Sequence, residues 1–143
     1  MIAVDASVAA KWILNEEHSD RASALYATAA RDGEPLVAPP LLPIEVTNIL
    51  RQRMRRGDFA LEQARLLLDR FLALPLTLTA PSGLYHQALA IADTYQLPAA
   101  YDAHYVALAA QLGCDLWTND QRLLRGLGGR VPFVKWIGDY PTP

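Results

Sequence analysis

The feature that most constrains this chain is a set of very short apolar runs, each followed by a stretch of helical periodicity. Ile2 to Val4 and Leu36-Val37-Ala38 are wholly apolar, the pattern of strands buried on both faces. Leu76-Thr77-Leu78-Thr79 alternates weakly and reads as a strand, as do Leu116-Trp117-Thr118 and, last, Val131 to Val134. The intervening spacing predicts helices. The first carries Val8, Trp12 and Ile13, with Ser7 as its cap. The second starts at Ser19 or Asp20, bears the stripe Ala22, Leu25, Tyr26 and Ala29, and stops at Gly33. The third enters through Pro39, Pro40 and Pro43, turns Val46, Ile49, Leu50 and Met54 to the core, and runs to about Arg56. Asp58 caps a fourth that ends at Pro75, and Ser82 caps a fifth that ends before Pro98. A sixth, amphipathic helix opens with Asp102, turns the apolar face of Tyr105, Leu108 and Leu112 to the core and stops at Gly113, and Gln121 to Arg125 form a short seventh. Short apolar strands alternating with helices argue an α/β fold, a three-layer α/β/α domain around a central, mostly parallel sheet of about five short strands. At 143 residues the chain suits one domain, 1–143, with a core over 1–138 and a frayed tail over 139–143.

Thirteen Lys and Arg against fifteen Asp and Glu leave a net charge of −2. That is no global nucleic-acid footprint, so any contact with RNA or DNA must come from a local patch. Cys114 stands alone, which excludes an internal disulfide and a Cys-rich zinc site and suits a reducing cytoplasm. The start, Met1 to Asp5, has no basic leader. The most apolar region, Leu66 to Leu78, is interrupted by Asp69, Arg70 and Pro75, so it does not span a bilayer. The expectation is a cytoplasmic protein without a membrane segment.

In open parallel sheets, sites form outside the carboxyl ends of the strands. Four acids fall at that edge: Asp5 just after the first strand, Glu45 early in the third helix, Asp102 at the opening of the sixth, and Asp120 two residues beyond the Leu116 strand. Each alone has an ordinary role. Asp5 could cap a helix or pair with Lys11, Glu45 and Asp102 could complement a helix dipole, and Asp120 could shape a turn. Together they raise a different issue. Within about 4 Å of one another, each pair of carboxylates would repel by roughly 4 kcal/mol at an effective dielectric of 20. Such a cluster needs a bound cation or protonated members. An all-oxygen set without His or Cys at ligand spacing suits Mg²⁺ or Mn²⁺, ions that activate water and offset charge on a phosphodiester.

Competing phosphate chemistries fit less well. Gly126, Gly128 and Gly129 do not follow a strand directly and lack a Lys-Ser/Thr ending. Asp5-Ala6-Ser7 lacks the second acid of a phosphoaspartate-type phosphatase. His18, His86 and His104 are scattered and give Ser7 no partner as a nucleophile.

Four segments occur in order: Asp5-Ala6-Ser7, Pro43-Ile44-Glu45-Val46-Thr47-Asn48-Ile49-Leu50, Tyr101-Asp102-Ala103-His104-Tyr105-Val106-Ala107-Leu108-Ala109, and Leu116-Trp117-Thr118-Asn119-Asp120-Gln121-Arg122-Leu123. Together they resemble a PIN domain, specifically the VapC-type toxins of type II toxin–antitoxin systems, over nearly the whole chain. The resemblance implies a Mg²⁺- or Mn²⁺-dependent endoribonuclease whose acidic quartet is Asp5, Glu45, Asp102 and Asp120. It makes Asp5, Asp102 and Asp120 the main ion ligands, with Glu45 a further ligand or the general base. It makes Ser7, Asn48 and Thr118 supporting polar residues. Asn119 stands where many relatives have a small residue. The resemblance further implies a homodimer, an RNA substrate, and a VapB-like antitoxin whose C-terminal segment covers the active groove.

Two features remain beside it. Arg51, Arg53, Arg55 and Arg56 form either a solvated helix C-terminus or a patch for RNA or antitoxin. Trp12, Trp117 and Trp136 read as core or interface anchors, and His104 as structural. Two other functions compete with the nuclease: a non-catalytic protein-binding module on the same fold, and a small-molecule phosphohydrolase.

Overall fold

A computed structural model describes residues 1–143. Five parallel strands, β1 (Ile2–Val4), β2 (Leu36–Ala38), β3 (Leu76–Leu78), β4 (Leu116–Thr118) and β5 (Val134–Trp136), form one sheet in the order β3-β2-β1-β4-β5. Seven α-helices connect and cover them: α1 (Ala6–Ala9), α2 (Ser19–Asp32), α3 (Leu41–Arg55), α4 (Leu61–Leu72), α5 (Leu84–Thr94), α6 (Tyr101–Leu112) and α7 (Gln121–Leu127). This is the three-layer α/β/α architecture expected from the alternation of short apolar runs and helical periodicity. Strands of three residues suffice at the centre of the sheet, where most side chains of β2, β1 and β4 are buried, whereas the edge strand β3 leaves Thr77 and Leu78 exposed.

Alternation along the strands separates the two layers. Ala3, Val37 and Leu116 face a larger core with Leu42 and Val46 of α3, Phe71 of α4, Tyr105 and Val106 of α6, and Leu123 of α7. Val4 and Leu36 face the other side, against Ala22, Leu25 and Ala29 of α2. The apolar spacing of α3 puts Leu42, Val46 and Leu50 inward at four-residue steps. α6 differs from the one-sided helix its sequence predicts. Its residues Ala103 and Tyr105 to Ala109 are all buried, because α5 packs Leu84, Ala88 and Ala92 against its outer side. The run of alanines in α6 permits that close double contact. Gly33 and Gly113 end α2 and α6 at φ +68° and +65°, where an L side chain would be strained.

Three helix caps depart from the sequence expectation, for a common reason: short polar side chains near a helix have several nearby partners to choose from. Asp5, not Ser7, caps α1, accepting from the Val8 amide. α2 begins at Ser19, as expected, and the Ser19 side chain ties the preceding turn, donating to the Leu14 carbonyl and accepting from the Glu16 amide. Asp58 pairs with Arg53 and Arg56, so α4 begins uncapped after extended Ala60. Ser82 offers its carbonyl to Gln111, and α5 begins after Gly83. α7 is longer than expected and ends at Gly128.

The C-terminal segment also differs. Residues Val131 to Phe133 form a turn, closed by the Val134 amide on the Val131 carbonyl at 3.0 Å, so β5 begins at Val134. A 3-10 turn, Ile137–Asp139, then brings Ile137 to full burial and Tyr140 into the α2-side core. Arg21 of α2 donates to the Tyr140 carbonyl at 2.5 Å. The chain is therefore anchored to Tyr140, and only residues 141–143 project freely, not the 139–143 tail read from the sequence. No helix is long and apolar enough to cross a membrane.

Replacing Ile137 by Ala is expected to cost about 2–5 kcal/mol of folding free energy, as for other buried aliphatics. Removing residues 141–143 should change it by less than about 0.5 kcal/mol. Urea denaturation of both variants measures the contrast, and equal effects would show that the C-terminal turn is not part of the core.

Candidate active site

β1 lies at the centre of the sheet, between β2 and β4, and Asp5 follows its last residue. The β1–β4 register sets Val4 beside Trp117, which brings Thr118 next to Asp5. Glu45 comes from the second turn of α3, Asp102 from the first turn of α6, and Asp120 from the N-cap of α7. All four carboxylates line one cavity of ≈ 190 Å³, together with Ala6, Ser7, Asn48 and Ile49. Neither a lysine nor an arginine lines it. Sequence separation between Asp5 and Asp120 is closed by the parallel crossovers, which return every strand to the same edge.

Each acid is held differently. Asp5 is 4% exposed, and its Oδ1 accepts from the Ser7 hydroxyl at 2.6 Å and the Val8 amide at 3.2 Å. Its Oδ2 accepts from the Thr118 hydroxyl. Ser7 Oγ in turn accepts from the Asn119 amide at 2.8 Å, and Thr118 Oγ1 from the Asp120 amide at 2.9 Å. These two hydroxyls therefore stitch the end of β1 to the loop after β4. Asp120 Oδ1 caps α7, accepting from the Arg122 and Leu123 amides at 2.9 and 3.2 Å. The turn role and the cavity position thus coexist in one residue. Glu45 Oε1 accepts from the Tyr105 hydroxyl at 2.5 Å. Asp102 has only neighbouring charge and burial acting on it.

That environment changes the protonation of the acids. Burial pushes the Asp5 carboxyl up to about 7, against the opposing hydrogen bonds of Ser7, Thr118 and Val8, and the charge of Asp102 adds to the rise. Burial, then Asp120 and Glu45, pushes Asp102 up to about 6. The Tyr105 phenol is driven well above its ordinary value by burial and then by Glu45, so it stays protonated and remains a donor.

The donor set is all carboxylate oxygen, with the hydroxyl and amide oxygens of Ser7 and Asn48 beside it, and so fits a hard divalent cation. The acids share a cavity without closing into a tight cage: no three of them stand together at ligating distance. Mutual repulsion favours that spacing.

Other residues fall outside the cavity. Lys11, 4% exposed, pairs with Glu16 at 3.0 Å and donates to the Glu17 carbonyl at 2.7 Å, so it is no partner of Asp5. Arg53 bridges Glu16 at 3.0 Å and Asp58 at 2.5 Å, and Arg56 reaches Asp58 at 3.3 Å. Arg51 borders an apolar groove between α3 and α4, and Arg55 is exposed. The arginine run is thus divided, half of it engaged within the fold. His104 Nδ1 donates to the Ala100 carbonyl at 2.6 Å, and Asp115 pairs with Lys135 at 2.7 Å at the opposite end of β4. Trp12 donates to the Ala22 carbonyl at 2.8 Å, Trp117 packs edge-on to Tyr140, and Trp136 packs edge-on to His18. The residue that sequence reasoning overlooked is Tyr105, assigned to the apolar face of α6. Its place three residues after Asp102 puts it on the same side of the helix, and that spacing was the available signal.

Comparison with known proteins follows the same lines. The family model described as the PIN domain matches residues 2–126. The chain is 33% identical over 123 residues to VapC ribonuclease Mb0985 of Mycobacterium bovis, covering 86% of this chain and 88% of that one. It is 33% identical over 124 residues to ribonuclease VapC3 of Mycobacterium tuberculosis, covering 87% and 85%. Among solved structures, PAE2754 from Pyrobaculum aerophilum superposes with a TM-score of 0.68 at 21% identity, over 96% of this chain and 89% of that one, a likeness of fold.

The raised Asp5 value has a defined sign. Its folded value, about 7, lies above the ordinary 3.8, so the fold prefers the neutral acid and pays for ionisation as pH rises between those values. In chelator, the parent chain is expected to lose up to about 4 kcal/mol of stability from pH 4 to pH 7.5 through this residue. Asp5→Asn removes that component. Urea melts at both pH values test it, and identical slopes in parent and variant would show that Asp5 carries no such cost.

Proposed function

The chain belongs to the PIN-domain family, and from that premise we propose that it is the toxin of a type II toxin–antitoxin pair, a Mg²⁺- or Mn²⁺-dependent endoribonuclease. The observation that carries this reading is the meeting of Asp5, Glu45, Asp102 and Asp120, from four separate segments, around one cavity lined by no basic residue. Two of these acids are pushed up toward neutrality, which marks a site short of positive charge. Its relatives named as VapC ribonucleases support RNA as the substrate and a VapB-like antitoxin as the partner. The homodimer and the cytoplasmic setting belong to the same reading.

In this reading Asp5, Asp102 and Asp120 hold the ion, with Glu45 as a further ligand or the general base. A divalent ion bound there supplies positive charge against the phosphodiester and makes water more acidic. The chain's own residues do the rest. Ser7 and Thr118 fasten Asp5 so that its oxygens keep one direction. Asp120 spends one oxygen on α7 and keeps the other for the cavity. Glu45, engaged through Oε1, retains Oε2 to accept a proton from attacking water. Asn48 lines the wall and offers an amide to the phosphate or ribose of the substrate. In-line attack by water leaves 5′-phosphate and 3′-hydroxyl ends.

Purified Asp5→Asn and Asp102→Asn variants are expected to lose RNA cleavage to background, and Glu45→Gln to lose roughly 10²–10⁴-fold. Chelator should abolish parental activity, and Mn²⁺ or Mg²⁺ should restore it. Expression in cells followed by end-mapped RNA sequencing should yield new 5′-phosphate ends. Cleavage that survives either aspartate change, or persists in chelator, removes the assignment. Turnover of phosphomonoesters in preference to RNA would replace it with a phosphohydrolase.

A further inference from the structure

We propose that the Tyr105 hydroxyl is a positioning residue of the acidic site, holding the Glu45 carboxylate in the cavity by one oxygen so that the other faces ion and water. This inference rests on the metal-dependent reading above. Tyr105 is 1% exposed and lies in the main core, yet its hydroxyl reaches from α6 to Glu45 Oε1 on α3 at 2.5 Å. That length is in the range of a hydrogen bond to a charged oxygen.

Two comparisons within the site support the role. Asp5 has three protein donors and Asp120 has two. Glu45 has one, the Tyr105 phenol. Glutamate is also the longer side chain, with one more rotatable bond than aspartate, and Glu45 is only half-buried. Without the phenol, nothing in the protein keeps its carboxylate turned toward the cavity rather than toward solvent. The second comparison is with the surroundings of the ring. A core position that needed volume alone would be served by phenylalanine, because a buried hydroxyl is costly unless it is bonded. Here the hydroxyl is bonded to an acid of the cavity. Because Tyr105 follows Asp102 by three residues on one helix, α6 both supplies an acid and orients the acid of α3. Any displacement of α6 would move the two together.

The test is Tyr105→Phe, which keeps the ring and removes only the donor. Mn²⁺ affinity is read by EPR of the free ion, independently of RNA cleavage. Loss of an orienting partner outside the metal shell is expected to weaken Mn²⁺ binding about 10–100-fold, with a fall in kcat larger than any change in KM. In a Glu45→Ala background the same change should cost nothing further, because the hydroxyl acts through Glu45. Circular dichroism and thermal melts should match the parent. Unchanged Mn²⁺ affinity in a folded Tyr105→Phe chain overturns the proposal, as does a full additional loss in the Glu45→Ala background. A Tyr105→Phe chain that does not fold also overturns it, by assigning the hydroxyl to the core. The parental titration separates the two readings: absence of Mn²⁺ binding in the parent defeats the metal-dependent function itself, whereas parental binding with an unaffected variant defeats only the role of Tyr105.

Discussion

The burial of Asp5 at the end of the central strand is the constraint around which the rest of this molecule is arranged. A carboxylate at 4% exposure is expensive to keep ionised, and its rise to about 7 shows that local hydrogen bonds offset only part of that expense. The residues that supply those bonds come from both sides of the β1–β4 pair: Ser7 and Val8 from α1, Thr118 from β4. Satisfying one buried acid therefore joins two strands and two loops at the edge where the other acids arrive. Thr118, fully buried, is at once a strand residue and the hinge pin of the Asp120 loop.

The remaining acids depend on helix packing more than on hydrogen bonds. α3 and α6 bury their apolar faces in the same core, and α5 clamps α6 from outside. That double burial holds Asp102 still although it has no donor of its own. Glu45 is tied across to α6 through Tyr105. The result is a rim of negative charge set on a rigid base, which is what a site needs if its affinity for a cation is to come from preorganisation and not from closure on binding.

Positive charge is kept away from this rim. Lys11, Arg53 and Arg56 are engaged with Glu16, Glu17 and Asp58, linking the loop after α1 to the end of α3. None of these cations lines the cavity, so the acids lack an internal counter-ion. With a net charge of −2 and such a cavity, the local field favours cations over anions, and under the proposed function RNA would be gripped through polar groups and local contacts rather than through overall charge.

Much of this was legible in the sequence. The alternation of three-residue apolar runs with helical spacing determined the α/β layering, because wholly apolar strands require cover on both faces. The placement of Asp5, Glu45, Asp102 and Asp120 after strands or at helix openings determined that they share one edge, because parallel crossovers return every strand to the same side. What the tertiary structure alone decided were choices among nearby partners. Asp58 took arginines in place of a cap, Ser7 bonded Asp5 in place of starting a helix, and Tyr140 joined the core in place of fraying. Those choices turn on small differences of distance among competing partners, close in the chain for Ser7 and Asp58 and far away for Tyr140, which meets Arg21, and periodicity does not encode them. Tyr105 shows the division most clearly. Its apolar position in α6 followed from spacing, but the use of its hydroxyl depended on α3 lying within reach, and only the packing of two helices against one sheet settled that.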